Sequence, residues 1–188
     1  FSKMLGIFGD DAVTIDCTFD RDSERLALSK SLHRLKMEAE DAIRSGAGHL
    51  ILSDKQQSAD KIAVPMILAT SAVHSWLTKR GLRTFCSLNV QSAECLDAHY
   101  FAVLIGSGAT TVNAYLAQDS IADRVSRKLL SGSITENIRR YQEAIDQGLL
   151  KIMAKMGISV ISSYRGGLNF EAVGLSRSMV AEYFPGMQ

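Results

Sequence analysis

His49-Leu50-Ile51-Leu52-Ser53-Asp54 is a short apolar run directly after a glycine. Continuous apolarity over so few residues is the pattern of a strand buried in a parallel sheet, and the run is too short for a helix. Upstream, residues 12–19 alternate with β-branched residues on one parity, which is again the period of a strand. Between the two, Leu26, Leu28, Leu32, Leu35, Met37, Ala39 and Ile43 form an apolar stripe near helical spacing. That stripe predicts an amphipathic helix over 23–45, capped by Asp22 or Ser23 and stopped at Gly46.

Downstream the alternation repeats. Pro65 sits at the first turn of a helix carried by Met66, Leu68, Ala69, Ala72, Val73, Trp76 and Leu77 as far as Gly81. Residues 84–90 return to strand chemistry, 93–105 support another helix, Gly106-Ser107-Gly108 break it, and 110–114 read as the next strand. Strand and helix recurring at roughly 30-residue intervals is the signature of βα units. The fold class is therefore α/β with a mainly parallel sheet, closed into a barrel or left open, in one domain over 1–188.

The rhythm then lapses into helices. A short one runs through 121–130, and Ser133 or Thr135 opens another, which continues through Gly148 or breaks there into two. A last strand is expected at 158–162, with short helices at 169–173 and 176–183.

Composition excludes several function classes. The formal net charge is +1, from 21 basic and 20 acidic residues spread along the chain, so nucleic acid and anionic membranes are not expected partners. No apolar run reaches the roughly 18 to 20 residues of a membrane span. Cys17, Cys86 and Cys95 are odd in number and lack CxxC spacing, which points to free thiols in a reducing cytoplasm. A start at Phe1 and an end at Pro185-Gly186-Met187-Gln188 read as an excised segment.

Candidate chemistry is sparse. Gly106-Ser107-Gly108-Ala109-Thr110-Thr111 resembles a phosphate cradle, but it lacks the P-loop lysine and follows a helix rather than a strand, so it reads as an αβ turn. His33, His49, His74 and His99 are too scattered to share a metal. Asp16, Ser53, Asp54 and Asn89 lie in or just after strands, and Asn113 lies within another. Polar groups there would gather at the carboxyl ends, where α/β sites form, although capping explains them too. The loop Ser163-Tyr164-Arg165-Gly166 combines hydroxyls, a guanidinium and flexible backbone, suiting either an interface or a bound anion. An anionic metabolite held by Asp16, Asp54, Asn89 and Arg165 is the enzyme-class alternative.

The stretch Gly148-Leu149-Leu150-Lys151-Ile152-Met153-Ala154-Lys155-Met156-Gly157-Ile158-Ser159, with Ser163 through Gly166 and Phe170-Glu171-Ala172-Val173-Gly174-Leu175, is similar to the large subunit of glutamate synthases. Thr14-Ile15-Asp16, Leu50 through Asp54, Leu68 through His74, Gly81 through Thr84 and Val112 through Ala117 agree in order and spacing. The sequence departs from the family's usual pattern at Ser75, Ser107, Ala114 and Gly167-Leu168-Asn169, the mark of a diverged branch.

The resemblance implies the later part of the central domain, a reduced, partial TIM-barrel-like fold between the amidotransferase and FMN-binding modules. It implies that both modules are partners in the same parent chain, with a small reductase subunit as a further one. FMN and an iron-sulfur cluster belong to the parent enzyme, and no cofactor or catalytic residue to this segment. A connecting role in the cytoplasm is the expectation.

Overall fold

The computed structural model describes residues 1–21 and 26–187. Helix α1 (Ser2–Phe8) leads into β1 (Ala12–Asp16) and β2 (Thr18–Asp20), followed by α2 (Ala27–Arg44), β3 (His49–Ser53), β4 (Lys61–Ala63) and α3 (Met66–Lys79). Then come β5 (Ser87–Gln91), α4 (Ala98–Gly106), β6 (Thr111–Asn113), α5 (Tyr115–Ser126), α6 (Ile134–Lys155), α7 (Ile161–Tyr164) and α8 (Arg177–Tyr183). Four strands form one parallel sheet in the order β1-β3-β5-β6. The expected βα architecture is present.

The two faces of this sheet differ in chemistry. Ile15, Leu50, Leu52, Leu88 and Val90 are buried, in one core with Leu32, Leu35 and Ala39 of α2 and Ala69, Ala72 and Val73 of α3. Removing each such side chain from water contributes about 1.5–3 kcal/mol, which makes this layer the main stabilising feature. The opposite parity is largely polar and bonded across strands. His49 Nδ1 meets Ser87 Oγ at 2.7 Å, Thr111 Oγ1 donates to Asn89 Oδ1 at 2.7 Å, and Ser53 Oγ donates to Gln91 Oε1 at 2.8 Å. Of the β3 run, only Ile51 is apolar and buried on that parity.

Several boundaries differ from the sequence reading. The strand expected over 12–19 is two strands, because Asp16 Oδ1 accepts from Thr18 N–H at 3.0 Å and from the Thr18 hydroxyl at 2.8 Å. This Asx turn bends the chain at Cys17. Beyond it β2 pairs antiparallel with β4, a strand the sequence did not announce. The caps expected at Asp22 or Ser23 fall outside the described residues. The stripe itself packs as read, with Leu32, Leu35, Ala39 and Ile43 buried.

The helix expected over 93–105 starts later, where the Asp97 side chain accepts from Tyr100 N–H. Residues Arg83–Phe85 form a 3-10 turn before β5. Helix α6 is continuous through Gly148, opened by Ser133, whose side chain accepts from Glu136 N–H. The strand expected at 158–162 is absent: Val160 and Ile161 are exposed, and α7 begins in its place. The pull of Tyr164, whose hydroxyl donates to Ala102 O at 3.0 Å, outweighs the local β propensity. Residues 169–173 are irregular rather than helical.

Candidate functional site

At the carboxyl end of the sheet, polar residues that follow strands converge and bond to one another. The Ser53 hydroxyl donates to Gln91, and Gln91 Nε2 donates to Asn113 Oδ1 at 3.1 Å. Asp54 is fully buried. Its Oδ2 accepts from Ala93 N–H at 2.8 Å, while Oδ1 makes no hydrogen bond among the described residues.

Burial raises the Asp54 carboxyl above its ordinary value. The Ala93 N–H works against that rise, and so does the nearby Tyr115 phenol, which lacks the geometry of a direct bond to Oδ1. Burial in turn pushes the Tyr115 hydroxyl up to about 12. Gln57 Nε2 donates to that hydroxyl at 3.1 Å, and the Lys55 ammonium lies 5.2 Å from the ring centroid. Asp54 and Asn113 both adjoin Gln91, Asp54 by donating its N–H to Gln91 O at 3.3 Å and Asn113 through its side chain.

Asn89 lies in mid-strand, donating to Leu50 O at 3.1 Å and to Ser87 Oγ at 2.8 Å. Asp16 is engaged by Thr18 in the bend after β1.

Arg165 belongs to the other end of the sheet. Gly166 N–H donates to Ile105 O at 3.1 Å, and a Cβ on Gly166 would lie 2.9 Å from the His74 ring. The His74 ring also closes over Gly108, ahead of β6. Arg83 organises this end, donating to His74 Nδ1 at 3.0 Å, Cys86 O at 2.7 Å and Gly108 O at 2.8 Å. Burial, reinforced by the Arg83 charge, lowers the His74 imidazole to about 4, so the ring is neutral at ordinary pH.

Of the loop residues, Ser163 is exposed, Tyr164 is buried edge-on against Phe170, and Arg165 is half-buried. The four-residue anion site of Asp16, Asp54, Asn89 and Arg165 is therefore not assembled, since the sheet separates Arg165 from the two aspartates. The sequence reading assigned no role to Gln91, Tyr115 or Arg83. Gln91 was findable as the residue two positions after Asn89, on the same strand parity.

The glycine turn 106–108 has no room for a phosphate. A Cβ on Gly106 would meet the Phe170 ring at 2.1 Å, and one on Gly108 the His74 ring at 2.2 Å. The glycines allow close packing and, at Gly108, a φ of 114°. Among the described residues no cluster of His, Cys, Asp and Glu could hold a metal ion, and no helix is long and apolar enough to cross a membrane.

A parallel βα sheet with a polar inner parity and helices on the other face defines a partial TIM-barrel-like domain. In keeping with this, DHODH from Eimeria tenella, a TIM-barrel enzyme solved in complex with ferulenol, superposes with a TM-score of 0.52 at 14% identity, over 82% of this chain and 37% of that one. That likeness concerns the fold alone.

The family follows from sequence similarity. Residues 4–176 match the glutamate synthase central domain, and the chain belongs to that family. It is 58% identical over 188 residues to the glutamate synthase [NADPH] large chain of Azospirillum brasilense and 42% identical over 172 residues to that of Bacillus subtilis. The ferredoxin-dependent chloroplastic enzyme of Spinacia oleracea is 36% identical over 197 aligned residues. The alignments take in 100%, 92% and 98% of this chain but 12%, 11% and 12% of those relatives, so other domains of the same chain are implied.

Proposed function

We propose that this domain is a non-catalytic connector in a glutamate synthase large chain that makes glutamate from glutamine and 2-oxoglutarate. It holds the amidotransferase and FMN-binding modules at the separation and orientation that ammonia transfer requires. Holding two reacting centres in register is a contribution to rate in its own right. FMN and the iron-sulfur cluster belong to the neighbouring module in this reading, and a small reductase subunit would dock elsewhere on the parent chain.

One observation carries the proposal: the carboxyl end of the sheet, where α/β folds place their chemistry, is closed by the Ser53-Gln91-Asn113 hydrogen-bond chain. The filled glycine turn at Gly106 supports it further, since nothing there receives the phosphate of a flavin.

The test uses the full-length large chain. With Asp54→Asn or Asn113→Ser, glutamine hydrolysis and glutamate synthesis from free ammonia should each stay within about twofold of the parent. A loss of the ammonia-dependent reaction by about a hundredfold or more, with the fold intact by circular dichroism, would show that these residues take part in chemistry and would overturn the reading.

A further inference from the structure

We propose that Arg165 and Arg83 form a receptor for a carboxylate side chain carried by another segment of the parent large chain. The proposal deepens the connector reading and rests on it for the identity of the partner.

Among the described residues, neither arginine takes part in an ion pair. The hydrogen bonds of Arg83 go to uncharged acceptors, among them His74 Nδ1, Cys86 O, Gly108 O and, at 3.5 Å, Thr110 Oγ1. His74 cannot balance the charge, because it is a neutral acceptor in that contact. Both arginines sit against one side chain: Arg83 Nε donates to His74 Nδ1 at 3.0 Å, and a Cβ on Gly166, the residue after Arg165, would lie 2.9 Å from the same ring.

Arg165 Nε is shielded from solvent yet has no hydrogen-bond partner. A buried donor on a charged group is costly to leave unmade. Two neighbouring guanidiniums without an anion, one of them on a half-buried side chain, suit a carboxylate that accepts through both oxygens.

The surroundings favour a macromolecular source. Phe85, in the same turn as Arg83, is 69% exposed, and Val160 and Ile161, ahead of Arg165, are 53% and 38% exposed. Arginine and aromatic side chains on an open surface are the composition that interface centres favour. A small anion would leave these apolar side chains in water, whereas a chain segment would cover them. The Azospirillum brasilense relative has such chain to offer, since the match spans 12% of its length.

The experiment is hydrogen–deuterium exchange of the full-length large chain, with the parent sequence, Arg165→Glu and Arg165→Lys. Arg165→Glu should raise exchange by about tenfold both at residues 160–170 and at one acid-containing segment outside the domain. Arg165→Lys should fall between the two, because it keeps the charge without the fork. An Asp or Glu of that outside segment changed to Arg should restore protection in the Arg165→Glu background.

Unchanged exchange outside the domain overturns the proposal. So does added protection of residues 160–170 of the parent by millimolar inorganic phosphate or malonate with the outside segment unaffected, which would mark a small-anion site. Glutamine-to-glutamate coupling, measured in parallel, separates the two readings. Lost contact with intact coupling sinks the connector role and leaves the receptor standing.

Discussion

Arg83 Nε donates to His74 Nδ1 at 3.0 Å, which puts the imidazole proton on Nε2 and ties α3 to the turn before β5. Because Arg83 also holds Cys86 O and Gly108 O, one side chain joins the amino ends of two strands to a helix.

Burial of His74, with the Arg83 charge beside it, sets a pH dependence. The folded-state His74 value, about 4, lies below the ordinary 6.5, so the unfolded chain binds more protons between those limits. The contribution is fully present above pH 6.5 and is lost as pH falls toward 4, by at most about 3 kcal/mol. His74→Gln keeps an acceptor for Arg83 and removes the titration. Urea midpoints measured across this window should slope less for the variant than for the parent.

Gly148→Ala sets two effects against each other. Alanine improves helix propensity by about 1 kcal/mol in a helix interior. The added Cβ would lie 2.5 Å from Ala98 Cβ, however, where α6 crosses the start of α4. Forced overpacking costs typically about 1–3 kcal/mol, so the net change is a loss. Ala98→Gly in the same chain should recover most of it in thermal unfolding.

Asp54→Asn keeps an acceptor for Ala93 N–H and removes a carboxyl whose charged form is disfavoured by burial. Its folded-state value is raised, so stability present at low pH is lost as pH rises through that value. The variant escapes the loss. Relative to the parent it should gain stability toward neutral pH, and the advantage should shrink on acidification when denaturation is followed from pH 4 to 7.

Tyr164→Phe removes the hydroxyl that donates to Ala102 O at 3.0 Å and leaves the ring in place against Phe170. The expected cost is about 1 kcal/mol. Tyr164→Ala should cost about 3–5 kcal/mol and expose residues 158–170 to limited proteolysis.

Much of this architecture was legible from local pattern. The run 49–54 became a core strand, the stripe Leu32, Leu35, Ala39 and Ile43 became the buried face of α2, and Ser133 capped α6. Other local signals were overruled. Ile158 to Ser162 carry β propensity, but Tyr164 anchors that segment on α4 and no strand of the described sheet receives it. The site was less legible than the fold. Asp54 and Asn113 were marked as strand-end residues, but nothing local placed Gln91 between Ser53 and Asn113 or Arg83 beneath Gly108.

Periodicity and turn chemistry follow from backbone sterics and side-chain polarity within a few residues, so the order of strands and helices and the βα class could be read from the chain itself. The separation of Asp54 from Arg165 to opposite ends of the sheet could not. It depends on parallel register between strands some 40 residues apart and on the return of residues 164–168 along α4, pairings set by burial and hydrogen bonding across the whole domain.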